Sequence, residues 1–438
     1  MSGPTPSQQT HTGALPDFMN ARQAEGPGAL SRKNFIVNVF EGALFITTAG
    51  LSSVQTVLPA LVSRLGGGKL AVGAVALIAY MGVFLPQVVA ARYASARPWK
   101  KPWTIGFGLT HRVGALLLAI GVWVLGSRDT YAALIFFFVI FAINQTILGI
   151  TTPAWFELVA KLTPVHRRGR LFGFRNALGG AGAFVSGMGL TWLLANLQFP
   201  NSYAFALLLS FLFQFAALIV QSRLVEEEPS PVLPGKPLFT YLRELPAVLR
   251  TNVEYRWFIV AVACLIPATA PFGFFTVYAL ERFQAGEGLV GAFTLSMVLA
   301  QIISALVAGL VADRYGNRIA LIPAAVALLL ATTTALLAPD AWWFIVVYLF
   351  VGANIGSEII IRYNMAIEYG PPTERATYIA LTNTLLAPLY LASLAGGFLV
   401  ERAGFPALFV AGMAFACLGL GLLLFRVRDP RTLPHPRT

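Results

Sequence analysis

Gly309-Leu-Val-Ala-Asp313-Arg314-Tyr315-Gly316-Asn317-Arg318 stands between two apolar runs, 287–312 and 319–338. One carboxylate, two guanidiniums and a glycine fall in a short turn at the edge of long hydrophobic segments. Such a turn reads as a tight connection between two membrane helices. Gly316 suits the left-handed backbone that ends a helix. Asp313 is placed to meet the positive N-terminus of a neighbouring helix. Arg314 and Arg318 are placed to bridge to that neighbour or to lipid phosphate.

The composition agrees with a membrane setting. The chain is 57% hydrophobic and 11% charged, with a mean hydropathy of +0.71, whereas a soluble domain is about half apolar and a quarter charged. A net charge of +12 on a soluble protein would suggest nucleic acid. Here Lys and Arg gather in alternate loops, among them Lys100, Lys101, Arg167, Arg168, Arg314 and Arg318, while the opposite loops hold Arg64, Lys69, Arg128, Arg282 and Arg402. That is the positive-inside pattern. It sets both termini in the cytoplasm, predicts a multi-pass protein of the cell membrane, and leaves no reason to expect a nucleic-acid partner. Cys264 and Cys417 lie in apolar segments, and His11, His111, His166 and His435 are scattered, so neither a disulfide framework nor a metal set is expected. The sequence holds no Walker A stretch, G-x-S-x-G or HExxH, so ATP is not the expected energy source, no cofactor is expected, and the chain does not read as an enzyme.

Twelve apolar segments follow one another, each long enough for a hydrocarbon core of about 30 Å. The reading is an all-α membrane protein. Residues 1–31 form a disordered tail, 32–224 a first six-helix bundle, 225–254 a cytoplasmic linker, 255–428 a second bundle, and 429–438 a second tail. In the linker, Phe239, Leu242, Leu245 and Leu249 recur at helical spacing, which suggests a short helix on the membrane surface or else a plain connector. The halves repeat. Glu157, Pro164, Arg168 and Asn176 correspond to Glu368, Pro372, Arg375 and Asn383, Asn144 corresponds to Asn354, and Ala91-Arg92-Tyr93-Ala94 stands where Asp313-Arg314-Tyr315-Gly316 stands in the other half.

The opening stretch resembles the loop motif of the Major Facilitator Superfamily, G-x-x-x-D-[RK]-x-G-x-R, at every fixed position, and it sits between segments eight and nine of twelve. The resemblance runs from about residue 32 to 428. It implies a monomeric secondary transporter that moves a small molecule by alternating access, with spans one, four, seven and ten lining a central cavity. Two departures separate the chain from the superfamily's drug–proton antiporters. Ser186-Gly187 replaces a Gly-Pro step in span five, and span four carries no arginine.

Polar residues inside spans are the remaining signal, because in lipid each needs a partner or a water-filled cavity. Span one carries Asn38, Glu41, Thr48, Ser52, Gln55 and Pro59 on one helical face. Glu41 is therefore either a proton-coupling carboxylate or the partner of an arginine such as Arg112. Span ten carries Asn354, Glu358 and Arg362 at i, i+4 and i+8, either a substrate or proton site or a gate-closing pair. Thr151 and Trp155 join Asn144 on span four, Tyr278 lies on span seven with Pro267 and Pro271, and Asn383 lies on span eleven with the kink candidate Pro388. These residues complete the cavity candidates. Gly309, Asp313, Arg314, Gly316, Arg318, Glu368 and Arg375, with Glu157 and Arg168 in the first half, form a candidate conformational latch. The expected function is proton-coupled export of a small amphipathic compound. The alternatives are proton-coupled uptake of a polar solute such as a sugar or organic acid, a lipid transporter, or a non-transporting receptor.

Overall fold

With no water in a bilayer core to bond the peptide groups, apolar segments of this length satisfy their backbone internally and form helices. The computed structural model describes residues 27–230, 232, 248–370 and 375–432, and the regular structure among them is entirely helical. The first half comprises α1 (Pro27–Thr47), α2 (Val57–Arg64), α3 (Lys69–Ser95), α4 (Lys101–Leu125), α5 (Thr130–Leu162), α6 (Val165–Asn196) and α7 (Asn201–Ser222). The second comprises α8 (Val253–Ala268), α9 (Phe272–Phe283), α10 (Gly288–Tyr315), α11 (Asn317–Leu337), α12 (Trp343–Tyr369), α13 (Arg375–Leu386) and α14 (Leu391–Phe425).

These helices make twelve spans. The first is α1 with α2, and the seventh is α8 with α9. Span eleven is α13 with the start of α14, and span twelve is the remainder of α14. A continuous α14 of 35 residues would run about 52 Å, far beyond a core of about 30 Å. It is broken at Gly404, whose φ of 81° suits a residue without a side chain. Gly316, at φ 96°, separates α10 from α11 in the same way.

Two expectations need correction. The helix of span one reaches back to Pro27, so the tail read as 1–31 ends earlier. Span one is also not one helix with a single polar face. It unwinds through a 3-10 turn at Thr48–Gly50 and irregular backbone before α2 begins at Val57. The predicted interfacial helix lies mostly outside the described residues.

The halves meet along α6 against α10 and α3 against α14. On the face opposite the basic loops they are tied together, with Arg64 paired to Glu287 and Lys69 to Glu281. There a side chain at Gly291 would strike Thr191 of α6. Contact continues to Gly180 against Ile302, but no neighbour lies against Gly173 or Gly309, nearer the basic face. Among the described residues, the ion pairs on the basic face (Lys100–Glu157, Lys161–Glu226, Arg428–Glu254 and Arg431–Glu368) each stay within one half. Among the described residues, ion pairs thus join the halves at the Arg64 face and not at the basic face.

Candidate functional site

Three unwound turns converge at mid-membrane. In span one the chain leaves helix over Leu51–Thr56 and presents Val54 and Gln55. In span seven it breaks at Thr269, between the two prolines that signalled it, Pro267 and Pro271. In span eleven Pro388 sits in a 3-10 turn, Ala387–Tyr390, that ends on Tyr390. Backbone of this kind is tolerated at membrane depth only where protein buries it or a cavity receives it. Here it walls a small cavity between the halves, lined by Val54, Gln55, Ala76 and Tyr80 from the first half and Thr269, Phe272, Gly273, Asn354, Ile355, Glu358, Ile359, Tyr390 and Ser393 from the second. Gln55 donates to the Tyr80 hydroxyl at 2.8 Å. Tyr80 stacks on Tyr390 across the interface with centroids 4.2 Å apart. Glu358 reaches Arg362 one turn along α12 at 3.4 Å, and Arg362 is 2% exposed. Among the described residues, the Arg362 Nε and one Glu358 oxygen have no hydrogen-bond partner, so the pair is close but incompletely satisfied.

A second polar cluster lies inside the first half. Glu41 and Arg175 form an ion pair at 2.7 Å, 4% and 5% exposed. The same guanidinium nitrogen donates to the Asn38 carbonyl at 2.8 Å, and the group lies 4.7 Å over the Trp155 ring. Glu41 is therefore paired, but not with Arg112, which instead donates to the Gln214 carbonyl at 3.1 Å and the Gly108 carbonyl at 3.1 Å. Unwinding at Thr48 is what separates Glu41 from Gln55, two residues that an ideal helix would put on one stripe.

The other cavity candidates lie elsewhere. Tyr278 is buried among Phe283, Phe344, Phe405 and Phe409 and does not line the cavity. Asn144 donates to the His111 carbonyl at 2.6 Å and joins spans three and four. Thr151 bonds back to Ile147 at 2.8 Å within its own helix. Asn383 is half-buried on α13, outside the cavity lining. Asn354 lines the cavity and also donates to the Ala324 carbonyl at 3.0 Å.

On the basic face the turn after α10 is wired in a way the motif did not announce. Asp429, beyond span twelve, accepts from the Arg318 amide at 3.0 Å and so meets the N-terminus of α11. Glu226, beyond span six, does the same for α4 through the amides of Lys100 and Lys101 at 3.0 and 2.8 Å. Glu157 pairs with Lys100 at 2.6 Å, and its counterpart Glu368 accepts from Asn317 at 2.8 Å. Glu368 thus binds Asn317 and Arg431 rather than the latch candidates Arg314 and Arg318. Arg318 donates to the Leu423 and Leu424 carbonyls at 3.0 and 2.6 Å, and Arg314 lies over Tyr315. Arg168 holds its own turn through the carbonyls of Ala160 and Thr163. The start of span eleven near Glu374 and Arg375, the expected mate of Asp313, lies outside the described side chains.

Two halves of six spans, capped at equivalent places and joined around a mid-membrane cavity, agree with the sequence profile of the Major Facilitator Superfamily, which matches residues 40–389 and 258–438. The chain belongs to the Major Facilitator Superfamily. It is a multi-pass membrane protein with that superfamily's transporter fold. Solved members with similar backbones include a D-xylose–proton symporter (TM-score 0.67, 16% identity, 91% of this chain and 98% of that one). The nucleoside transporter NupG (0.65, 14%, 90% and 98%) and a bacterial homologue of the iron transporter ferroportin in its inward-facing state (0.65, 16%, 91% and 98%) are also similar. At such identities the likeness concerns the fold. No curated protein matches the sequence.

Sequence reasoning missed Arg175, Tyr80, Tyr390 and Ser393. For Arg175 the signal was present, since a cation near the start of the glycine-rich fifth span demands a partner. For the tyrosines no periodicity distinguishes a cavity wall from packing.

Proposed function

We propose that this superfamily member is a proton-coupled secondary transporter of a small polar solute, working by alternating access. The observation that carries it is the cavity wall. Three unwound turns meet there, and among the residues that line it Gln55, Tyr80, Thr269, Asn354, Glu358, Tyr390 and Ser393 set hydrogen-bonding groups into an otherwise apolar wall. A few convergent donors and acceptors on an apolar wall fix the orientation of a ligand, and these suit one with several hydroxyl or carbonyl groups. That two structural neighbours are described as proton symporters, of D-xylose and of fucose, accords with uptake of such a solute.

Glu358 is the proposed proton carrier. It is the cavity's carboxylate, and protonating it would release Arg362 from its ion pair. Coupling follows if solute binding and proton binding both favour the same form, because a ligand shifts a conformational equilibrium only by its difference in affinity. Glu41, engaged by Arg175 away from the cavity lining, is assigned to the framework of the first half. The basic face is the cytoplasmic one under the positive-inside rule, and the cross-half ion pairs at the opposite face support an inward-facing form.

The test is reconstitution into proteoliposomes with an imposed pH gradient and a panel of radiolabelled sugars, nucleosides and organic acids. At least one polar solute should accumulate with the gradient and not without it. Glu358→Gln should lose accumulation while retaining gradient-free counterflow. If Glu358→Gln accumulates solute normally, the proton assignment is wrong. If only amphipathic cations move, and outward, the polar-solute reading is wrong.

A further inference from the structure

A second cavity, of about 710 Å³, opens on the outside of the first half at the basic face. It is lined by Arg97, Pro98 and Trp99 of the loop before α4 and by Pro102, Trp103, Gly106, Phe107 and Thr110 of α4 itself. The helical members recur every three or four residues, so they form one strip along α4, about 12 Å long from Pro102 to Thr110. The strip runs on into the exposed apolar residues Leu109, Val113 and Leu117. At its mouth the Arg97 guanidinium lies 5.2 Å over the Trp103 ring, and Trp103 packs against Phe107 at 4.7 Å. The Trp103 Nε1 donates to the Ile150 carbonyl at 3.3 Å, and Lys161 stands 5.5 Å over Trp99, so both indoles are held in place. The floor at Gly106 has no neighbour within van der Waals reach.

We propose that this groove holds one anionic phospholipid, its phosphate on Arg97 and one acyl chain along Trp103, Gly106 and Phe107. Charge decides the class of occupant. Arg97 makes no ion pair among the described residues. Of the linker carboxylates, Glu226 is already taken by Lys161 and two backbone amides, and Glu227 and Glu228 are exposed. Place decides the rest. Tryptophans beside a cation at the end of a span mark the headgroup level, and an apolar strip descending from that level offers an acyl chain a wall. The site stands apart from the central cavity and does not depend on the solute proposed for it.

The experiment is native mass spectrometry of the purified full-length protein titrated with phosphatidylglycerol or phosphatidylcholine. Three variants are compared: Arg97→Gln, Gly106→Leu, which fills the floor, and Arg314→Gln, which removes an exposed arginine from the other half. Gly106 is exposed on a helix and leucine is a better helix former, so that variant is expected to fold. The expected result is one tightly retained phosphatidylglycerol in the wild type. Arg97→Gln should weaken it about fivefold relative to phosphatidylcholine, Gly106→Leu should lose it, and Arg314→Gln should keep it. Equal retention of both lipids by the wild type, an unchanged preference in Arg97→Gln, or full retention by Gly106→Leu would each overturn the proposal. So would a dimer that Gly106→Leu abolishes, since the groove would then be an interface between copies.

Discussion

Replacing Arg175 by glutamine tests the buried cluster of the first half most directly. Glu41 is 4% exposed and its carboxylate lies 2.7 Å from the guanidinium. At an effective dielectric near 20, two unit charges at that distance attract by roughly 6 kcal/mol, against which the desolvation of both groups must be set. Deleting one partner removes the attraction and leaves the desolvation of the other, a loss of about 3–5 kcal/mol. Arg175→Gln also gives up the Trp155 face, worth about 1 kcal/mol. Glu41→Gln should be milder, because Arg175 keeps Trp155 and the Asn38 carbonyl. The double variant Glu41→Gln/Arg175→Gln places two neutral amides within reach of each other and should recover most of the loss, leaving it within about 2 kcal/mol of wild type. The assay is thermal unfolding in detergent followed by size-exclusion chromatography, with the four proteins closed into a double-mutant cycle. A double variant as unstable as Arg175→Gln alone would refute the pairing argument. An Arg175→Gln protein indistinguishable from wild type would refute the claim that the charges are buried.

Three further outcomes are expected. Arg362→Gln and Glu358→Gln should each lower thermal stability, and the double variant should be less damaging than the Arg362 substitution alone; absence of rescue would mean that the 3.4 Å pair contributes nothing as a pair. Gly316→Ala should lower stability by about 1–2 kcal/mol or more, because φ is 96° and a side chain there would meet the Asp429 carboxylate, and a tolerant protein would show that the turn relaxes. At the opposite face, burial raises the Glu287 carboxyl above its ordinary value although Arg64 draws it back down. The closed form therefore binds that proton more tightly than a form in which Glu287 faces water. Acidification through the ordinary carboxylate range and up to the raised value should favour closure there, measured as lower labelling of a cysteine placed behind the Arg64–Glu287 pair. Labelling that rises on acidification would reverse the sign.

Span number, the two-half division and the turn at Gly316 were legible because each rests on a local signal: apolar length, charge alternation, a glycine between helices. The breaks at Thr269 and Ala387–Tyr390 were legible for the same reason, since proline removes a donor wherever it stands. The break in span one was not. Nothing in Thr48–Thr56 forbids a helix, and its open backbone is held both locally, by the Ser53 hydroxyl accepting from the Gln55 and Thr56 amides, and by partners remote in the chain, through the Thr56–Thr294 bond at 2.6 Å and the Tyr348 hydroxyl donating to the Gln55 carbonyl at 3.0 Å. Helical arithmetic therefore put Glu41 and Gln55 on one face and pointed to one site where there are two. Glu358 and Asn354 were found because a carboxylate and an amide inside an apolar span are costly anywhere. Tyr80 and Tyr390 were missed because an aromatic ring in a span is at home against lipid, core or ligand alike.

The loop motif suggested that the second half has a latch and the first half has lost its own, with alanine at position 91. The contacts assign the work differently. The carboxylates that meet the N-termini of α4 and α11 come from beyond spans six and twelve, as Glu226 and Asp429, and both halves have one. Described ion pairs on the basic face close within a half, so a rocking motion leaves them intact. The pairs it must break are Arg64–Glu287 and Lys69–Glu281, each with one side chain 44–58% exposed. Pairs so exposed contribute about 0–1 kcal/mol each. Opening the Arg64 face must then also break the buried Thr56–Thr294 and Tyr348–Gln55 hydrogen bonds and part the small-residue contact of α6 and α10 around Gly291. Gly291→Ala, which would drive a methyl group into Thr191, should weaken the closed outer face more than removing either ion pair. Cysteine accessibility from that side measures the shift, and a larger effect from Arg64→Gln than from Gly291→Ala would show that charge, not packing, holds the face shut.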